Sequence, residues 1–351
     1  MDLSKKITAD TEKIYTSILN YFLIAILLSI SIWVPFKGYY LGIALLVPFI
    51  DFNKKIFTYT FFLLIILSIQ VSVSLLAYNP SLFEFFRYII FLYFLFIINN
   101  LRDLMLNKSI LKNGIFLALL ICFVNIIYYL FTSTQITFIE KGPLGQYIAL
   151  CFTILYLLER NKLSLYISLF LNILLTSLRG FGVTFLLLFS ELKINYKIIF
   201  SALFILLLLI APNFIGIQAR LDTASSAFFQ ERNDFVGRYA AIYMLSEYFT
   251  YDSIKILFGY GAGSYNDLRS LNMTSYIDYD YPGIIIIELL ISLGLVGTLL
   301  FILSFIDIIK YNVSVIWIVF SSLAASIHDP MFWISSIIVL FVEKNSQRLH
   351  S

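Results

Sequence analysis

Apolar runs recur along the chain at 14–34, 38–50, 57–78, 83–100, 113–132, 145–158, 162–176, 180–190, 198–216, 283–306, 313–327 and 331–343. About 20 apolar residues in a helix cross the hydrocarbon of a bilayer. The pattern therefore predicts an all-α, polytopic membrane helix bundle of about 12 spans. The stretch from 162 to 190 is best divided at Ser177 and Arg179, and at 29 residues it exceeds one comfortable span. Two short helices joined at the arginine fit it better.

Loop charges test that division. With a cytoplasmic N-terminus, the inner segments hold Lys5, Lys6, Lys13, Lys54, Lys55, Arg102, Lys108, Lys112, Arg160, Lys162, Lys193, Lys197, Lys310, Lys344 and Arg348, fifteen in all. The short outer loops hold three: Lys37, Lys141 and Arg179. Short cytoplasmic loops concentrate Lys and Arg, so this split places both termini in the cytoplasm. Reading 162–190 as a single helix would invert every later loop and move Lys193, Lys197 and Lys310 outside. The first run is expected to be a retained span, because it ends in Trp33-Val34-Pro35-Phe36-Lys37 without a small-residue cleavage site.

Composition sharpens the class. The chain is 60% apolar and 13% charged, with a mean hydropathy of +0.91, far from the balance of a soluble domain. A net charge of +3 is too small to suggest a nucleic-acid partner. Cys122 and Cys151, the two cysteines, lie within apolar runs and read as packing residues. No His, Cys, Asp and Glu cluster has metal-ligand spacing, so no metal cofactor, structural or catalytic, is expected.

The organisation is then spans one to nine over 1–216, a long loop over 217–282, and spans ten to twelve with a cytoplasmic tail over 283–351. The long loop falls on the periplasmic or extracellular side, and long translocated loops escape the positive-inside count. Within it, "NDFVGRYAAIYMLSEYFTY" has apolar residues at helical spacing behind Asn233 or Asp234 as a cap. An amphipathic helix at the outer boundary is predicted there. It should stop at "FGYGAGSYNDL", 258–268. The glycines lack the strand, the following helix and the lysine of a nucleotide-binding loop, so they read as a helix stop and tight turn. Trp33, Tyr39, Tyr40 and Trp333 fall at outer span ends, as an interfacial belt would place them.

The outer side collects Arg179, Arg232, Arg238, Glu140, Asp278, Asp280, His328 and Asp329. A charge at membrane depth faces a cavity, a partner or an interface. Two readings stand for Arg179: a planar fork gripping a phosphate or diphosphate, or a snorkelling side chain on ordinary lipid phosphates. Arg232 and Arg238 flank the cap of the loop helix, where they suit an anion or a solvated basic face on anionic headgroups. His328 reads as a general base or a capping loop residue. Asp278 and Asp280 read as proton acceptors or as a helix-entry turn beside Pro282.

Four features occur in order: "LLTSLRGFGVTFLLL" at a split span, the arginine-led "GRYAAIYMLSEYF", then "LFGYGAGSY", then "IIIIELLISLGLVGTLLF". This order resembles the O-antigen polymerase and ligase superfamily over residues 174–300. The resemblance implies an enzyme of the bacterial inner membrane that joins undecaprenyl-diphosphate-linked oligosaccharide repeat units into O-antigen or capsular polysaccharide on the periplasmic face. Its implied partners are those lipid-linked glycans, membrane lipids and a chain-length regulator protein. It implies diphosphate binding by Arg179 and Arg238, with Arg232 beside them, and acceptor deprotonation by Asp280, Glu140 or His328. The sequence departs from the ligase branch, which carries a histidine-led motif where Asp278-Tyr279-Asp280-Tyr281-Pro282 stands here, and Leu178 replaces the serine that usually precedes the arginine. Two alternatives remain: a ligase transferring glycan to lipid A core, and a lipid-linked oligosaccharide flippase. The paired repeats and midplane polar sites common in transporters are not evident in the sequence.

Overall fold

The computed structural model describes residues 14, 16–28, 45–52, 58–77, 82–102, 106–132, 141–174, 177–193, 197, 253–261, 284–323, 325 and 329–350. Among them the regular elements are helical and no strand occurs; Ile50 and Leu101 form an isolated antiparallel bridge. In chain order the α-helices are α1 (Thr16–Leu28), α2 (Thr58–Ala77), α3 (Leu82–Asn99), α4 (Lys108–Thr132), α5 (Lys141–Glu159), α6 (Leu163–Leu174), α7 (Leu178–Ser190), α8 (Ser253–Phe258), α9 (Ile285–Leu303), α10 (Asn312–Ser322) and α11 (Pro330–His350). One helical stretch, Ile285–Ile308, is long and apolar enough among the described residues to cross a membrane.

The predicted run 162–190 is two helices, α6 and α7. Lys162 at the start of α6 pairs with Glu191 just past the end of α7 at 3.4 Å, and its ammonium also donates to the Glu191 carbonyl at 3.1 Å. Ser168 and Thr184 meet hydroxyl to hydroxyl at 3.0 Å midway. These contacts make the two helices an antiparallel hairpin whose open end carries the charges and whose turn carries Arg179. α5 packs against α4, α6, α7 and α11, and residues 144–158 of it are buried on every side. A helix apolar all round belongs at the centre of a bundle.

α9 is broken within its apolar run. Gly294 has φ 67° and ψ −169°, outside the helical region. The break leaves carbonyls without helical partners, and the segment after α8 supplies them: Tyr260 N donates to Ile291 O at 2.8 Å and Gly261 N to Ser292 O at 3.1 Å. Tyr88 of α3 donates its hydroxyl to Ser292 Oγ at 2.9 Å, and Gln70 of α2 donates its side-chain amide to Phe258 O. The glycine stretch does stop a helix, α8, with Gly259 and Gly261 at positive φ. It also docks into α9, so this part of the predicted loop belongs to the packed bundle. The predicted amphipathic helix over 233–251 lies outside the described residues.

Two expectations need correction. Trp333 is not a belt residue: it is fully buried, stacked on Phe94 at 5.8 Å and edge-on to Phe91 and Phe332 at 5.7 and 4.8 Å. The run 38–50 does not end as an α-helix, because Val47–Phe49 is a short 3-10 helix with proline in its first turn. Pro48 has no amide to donate, and the chain there turns into the bridge at Ile50. The tail expected after 343 is helical, α11 continuing to His350. Glu343 accepts from Val313 N at 3.2 Å, Ser314 N at 2.7 Å and Ser314 Oγ at 2.6 Å, closing the unsatisfied first turn of α10.

Candidate functional site

The turn between α6 and α7 is built around buried polar groups. Ser164, Ser168 and Asn172 stand four apart on one face of α6 and are buried, a polar row on an otherwise apolar helix. Asn172 donates Nδ2 to Ser168 O at 2.9 Å and accepts Ser177 N on its carbonyl at 3.0 Å. Ser177 then caps α7, its hydroxyl taking the Gly180 amide at 3.4 Å. Thr184 returns a hydroxyl to Gly180 O at 2.8 Å. The hairpin is tied at both sides of its turn, so the residue between them is held in a defined place.

That residue is Arg179, second in α7 and half-buried. The first amides of any helix lack internal partners and give that end a positive character; the guanidinium adds a full charge to it. Among the described residues no hydrogen bond or ion pair engages the guanidinium. Close helix approach makes the turn compact: Gly180 lies against Asn172 Oδ1 and the Gly145 carbonyl of α5, with no room for a Cβ. Asn172 Oδ1 is itself buried without a hydrogen-bond partner.

Asp329 completes the charged surroundings. It precedes α11 and caps it, with Oδ1 accepting Met331 N at 2.9 Å and Phe332 N at 3.4 Å. Burial pushes its carboxyl above the usual aspartate range, while the Arg179 charge and the two amides pull it back. Arg179 and Asp329 thus share a field at one end of the bundle. α5 also reaches this end, bringing Gly145 against Ser177.

Of the eight outer-side residues singled out from the sequence, Arg179 and Asp329 are described, Arg179 at a helix head suited to an anion. Asp278, Asp280, Glu140, His328, Arg232 and Arg238 lie outside the described residues. Asn172 and Gly145 were missed. The polar row Ser164, Ser168, Asn172 was the available signal for the first; for the second, the sequence carried none. Cys122 and Cys151 are buried and unbonded, and among the described residues no group of His, Cys, Asp and Glu could hold a metal ion.

No protein-family model matches the chain, and comparison with curated proteins finds no significant match.

Proposed function

We propose that the chain is an integral membrane glycosyltransferase of O-antigen polymerase type, a bundle of about 12 spans with both termini in the cytoplasm of a bacterial cell and a long periplasmic loop. The observation that carries this reading is Arg179: a half-buried guanidinium at the head of α7, fixed by a polar hairpin and unengaged among the described residues. A planar five-donor fork at a helix N-terminus suits phosphate oxygens.

The distribution of polarity supports the membrane part. Thr153, Ser168, Asn172, Thr184, Ser335 and Ser336 are fully buried, while Phe61, Phe62, Phe116, Leu120, Phe123, Phe170 and Leu174 are exposed. Apolar groups facing outward over a polar-studded interior fit a lipid surround. The basic residues support the orientation. Arg102 bonds Ile50 O, Lys344 bonds Leu101 O, Lys112 pairs with Glu159 and Lys162 with Glu191. In each case the contact joins helix ends assigned to the inner side.

In the reaction, an acceptor hydroxyl on one lipid-linked repeat unit attacks the anomeric carbon of the donor chain. The bond from that carbon to the diphosphate breaks, undecaprenyl diphosphate leaves with the electron pair, and the hydroxyl proton passes to a base. Arg179 and Arg238, with Arg232, would stabilise the charge growing on the diphosphate. Asp280, Glu140 or His328 would take the proton. The test is a deletion strain complemented with wild type or Arg179→Ala. The variant is expected in the membrane at normal level, with surface glycan capped at one repeat unit. Long chains of normal length from Arg179→Ala would sink the assignment, and long chains stranded on the carrier lipid in the deletion strain would indicate a ligase.

A further inference from the structure

The hairpin that carries Arg179 is too short to span. At ~1.5 Å per residue α6 and α7 are roughly 18 and 20 Å long, against a hydrocarbon layer of about 30 Å. Their open end is fixed by Lys162 and Glu191. α4, packed against α5, provides a ruler: Lys112, near its start, pairs with Glu159 at the end of α5, just before Lys162. From Lys112 to Thr132, α4 rises about 30 Å. Measured from the same end, the turn at Arg179 stops roughly 10 Å short of where α4 ends.

The surface of the hairpin agrees with that depth. Tyr166, Ile167, Phe170, Ile173 and Leu174 of α6 are exposed, and Leu174, the last residue of the helix, is 63% exposed. Apolar surface therefore continues to the turn itself. Arg179, a few residues on, is half-buried and unengaged among the described residues, and lies in the field of Asp329. A guanidinium at such depth is tolerated where it faces water or protein and not lipid.

We propose that Arg179 lies on the floor of a water-filled recess, about 10 Å below the outer end of α4, with lipid on the α6 side of the turn and water on the other. This rests on the membrane reading above and deepens it: an anionic group must be drawn below the headgroup plane to reach the site.

The test uses the full chain in right-side-out vesicles, in a Cys122→Ala, Cys151→Ala background. Single cysteines are placed as Leu174→Cys, Arg179→Cys and, at the outer end of α4, Thr132→Cys, and are exposed to a membrane-impermeant anionic methanethiosulfonate. Nitroxide labels at the same sites are compared for collision with oxygen and with a water-soluble nickel chelate. Leu174→Cys should resist the anionic reagent and its label should favour oxygen, although Thr132→Cys reacts freely. Arg179→Cys should react and its label should favour nickel. A Leu174 label as nickel-accessible as that at Thr132 would put the turn at the surface and overturn the proposal; an unreactive Arg179→Cys in a folded, membrane-inserted chain would make the site dry and overturn it too. Leu174→Cys leaves Arg179 and the packed interior intact, so the depth reading survives a failure of Arg179→Cys to fold. A chain released from membranes by alkaline carbonate would refute the membrane reading itself, whereas polymer synthesis with a surface-level turn would refute the recess alone.

Discussion

Gly259 and Gly294 meet backbone to backbone, both at positive φ, 78° and 67°. Each is where it is because of the other: the break in α9 at Gly294 exposes carbonyls that only a close-lying strand of backbone can reach. An L-residue in the left-handed region is strained by about 1–2 kcal/mol, and here an added Cβ also meets main chain and not a movable side chain. Gly294→Ala is therefore expected to lower Tm in detergent by more than Gly114→Ala, whose Cβ would meet only the side chain of Ile24. Equal losses for the two would show that the docked segment is not held by this contact.

The turn of the α6–α7 hairpin predicts a second asymmetry. Gly180→Ala must push Asn172 or Gly145 away, and either displacement moves the residue next to it, Arg179. Thr184→Val removes two buried hydroxyl bonds, to Gly180 O and to Ser168 Oγ, a change of about 1–3 kcal/mol, and leaves the turn in place. Polymer length in complemented cells should collapse for Gly180→Ala at expression levels where Thr184→Val still supports it. Identical behaviour at matched protein levels would argue that the turn geometry is irrelevant to output.

The division at Arg179 could be read because loop charges carry global information: one wrong span inverts all later loops. The row Ser164, Ser168, Asn172 was visible as a pattern, but nothing in it named the glycine of α5 that packs against it. Trp333 was misplaced for a physical reason. A tryptophan near a span end suits a headgroup layer and a core equally well by sequence, and the rings that enclose it, Phe91, Phe94 and Phe301, come from two distant helices. The break at Gly294 was hidden because an isolated glycine in an apolar run looks helical until a second backbone approaches it.

Burial of Trp333 makes its removal costly. It is one of the largest fully buried side chains, and its indole lies among four phenylalanine rings. Trp333→Ala should cost roughly 3–5 kcal/mol, as large-to-small core changes do, with Trp333→Phe losing less. Its emission should be blue-shifted and insensitive to iodide in the folded chain. Quenching equal to that of a free indole would return Trp333 to an interfacial belt.

Glu343 reaches across to the head of α10, where its two oxygens take the amides of Val313 and Ser314. Glu343→Gln keeps the volume but turns one acceptor into a donor facing amides that also donate. The expected loss is about 1–3 kcal/mol, the cost of leaving buried groups unsatisfied, and Ser314→Ala, which removes a single hydroxyl contact, should lose less. Urea or thermal unfolding in a mild detergent measures both. A Glu343→Gln protein as stable as wild type would mean that α10 starts without this cap.

Asp329 gives the chain a pH dependence with a definite sign. Burial raises its folded-state carboxyl above the ordinary aspartate value, while Arg179 and the amides of Met331 and Phe332 hold part of that rise back. A group that binds its proton more tightly when folded adds stability in full below the unfolded value, about 3.9, and loses that contribution as pH rises through the higher folded value. Asparagine still caps a helix but has no proton to lose. Compared with Asp329→Asn, wild type should therefore lose Tm as pH climbs from about 4, and the two curves should run parallel once Asp329 is fully ionised. Arg179→Ala removes the charge that restrains the rise, so the loss should extend to higher pH in that variant and vanish in the double variant. Curves for wild type and Asp329→Asn that are parallel throughout would show that the carboxyl titrates as it does in the unfolded chain, and would overturn the net rise attributed to burial.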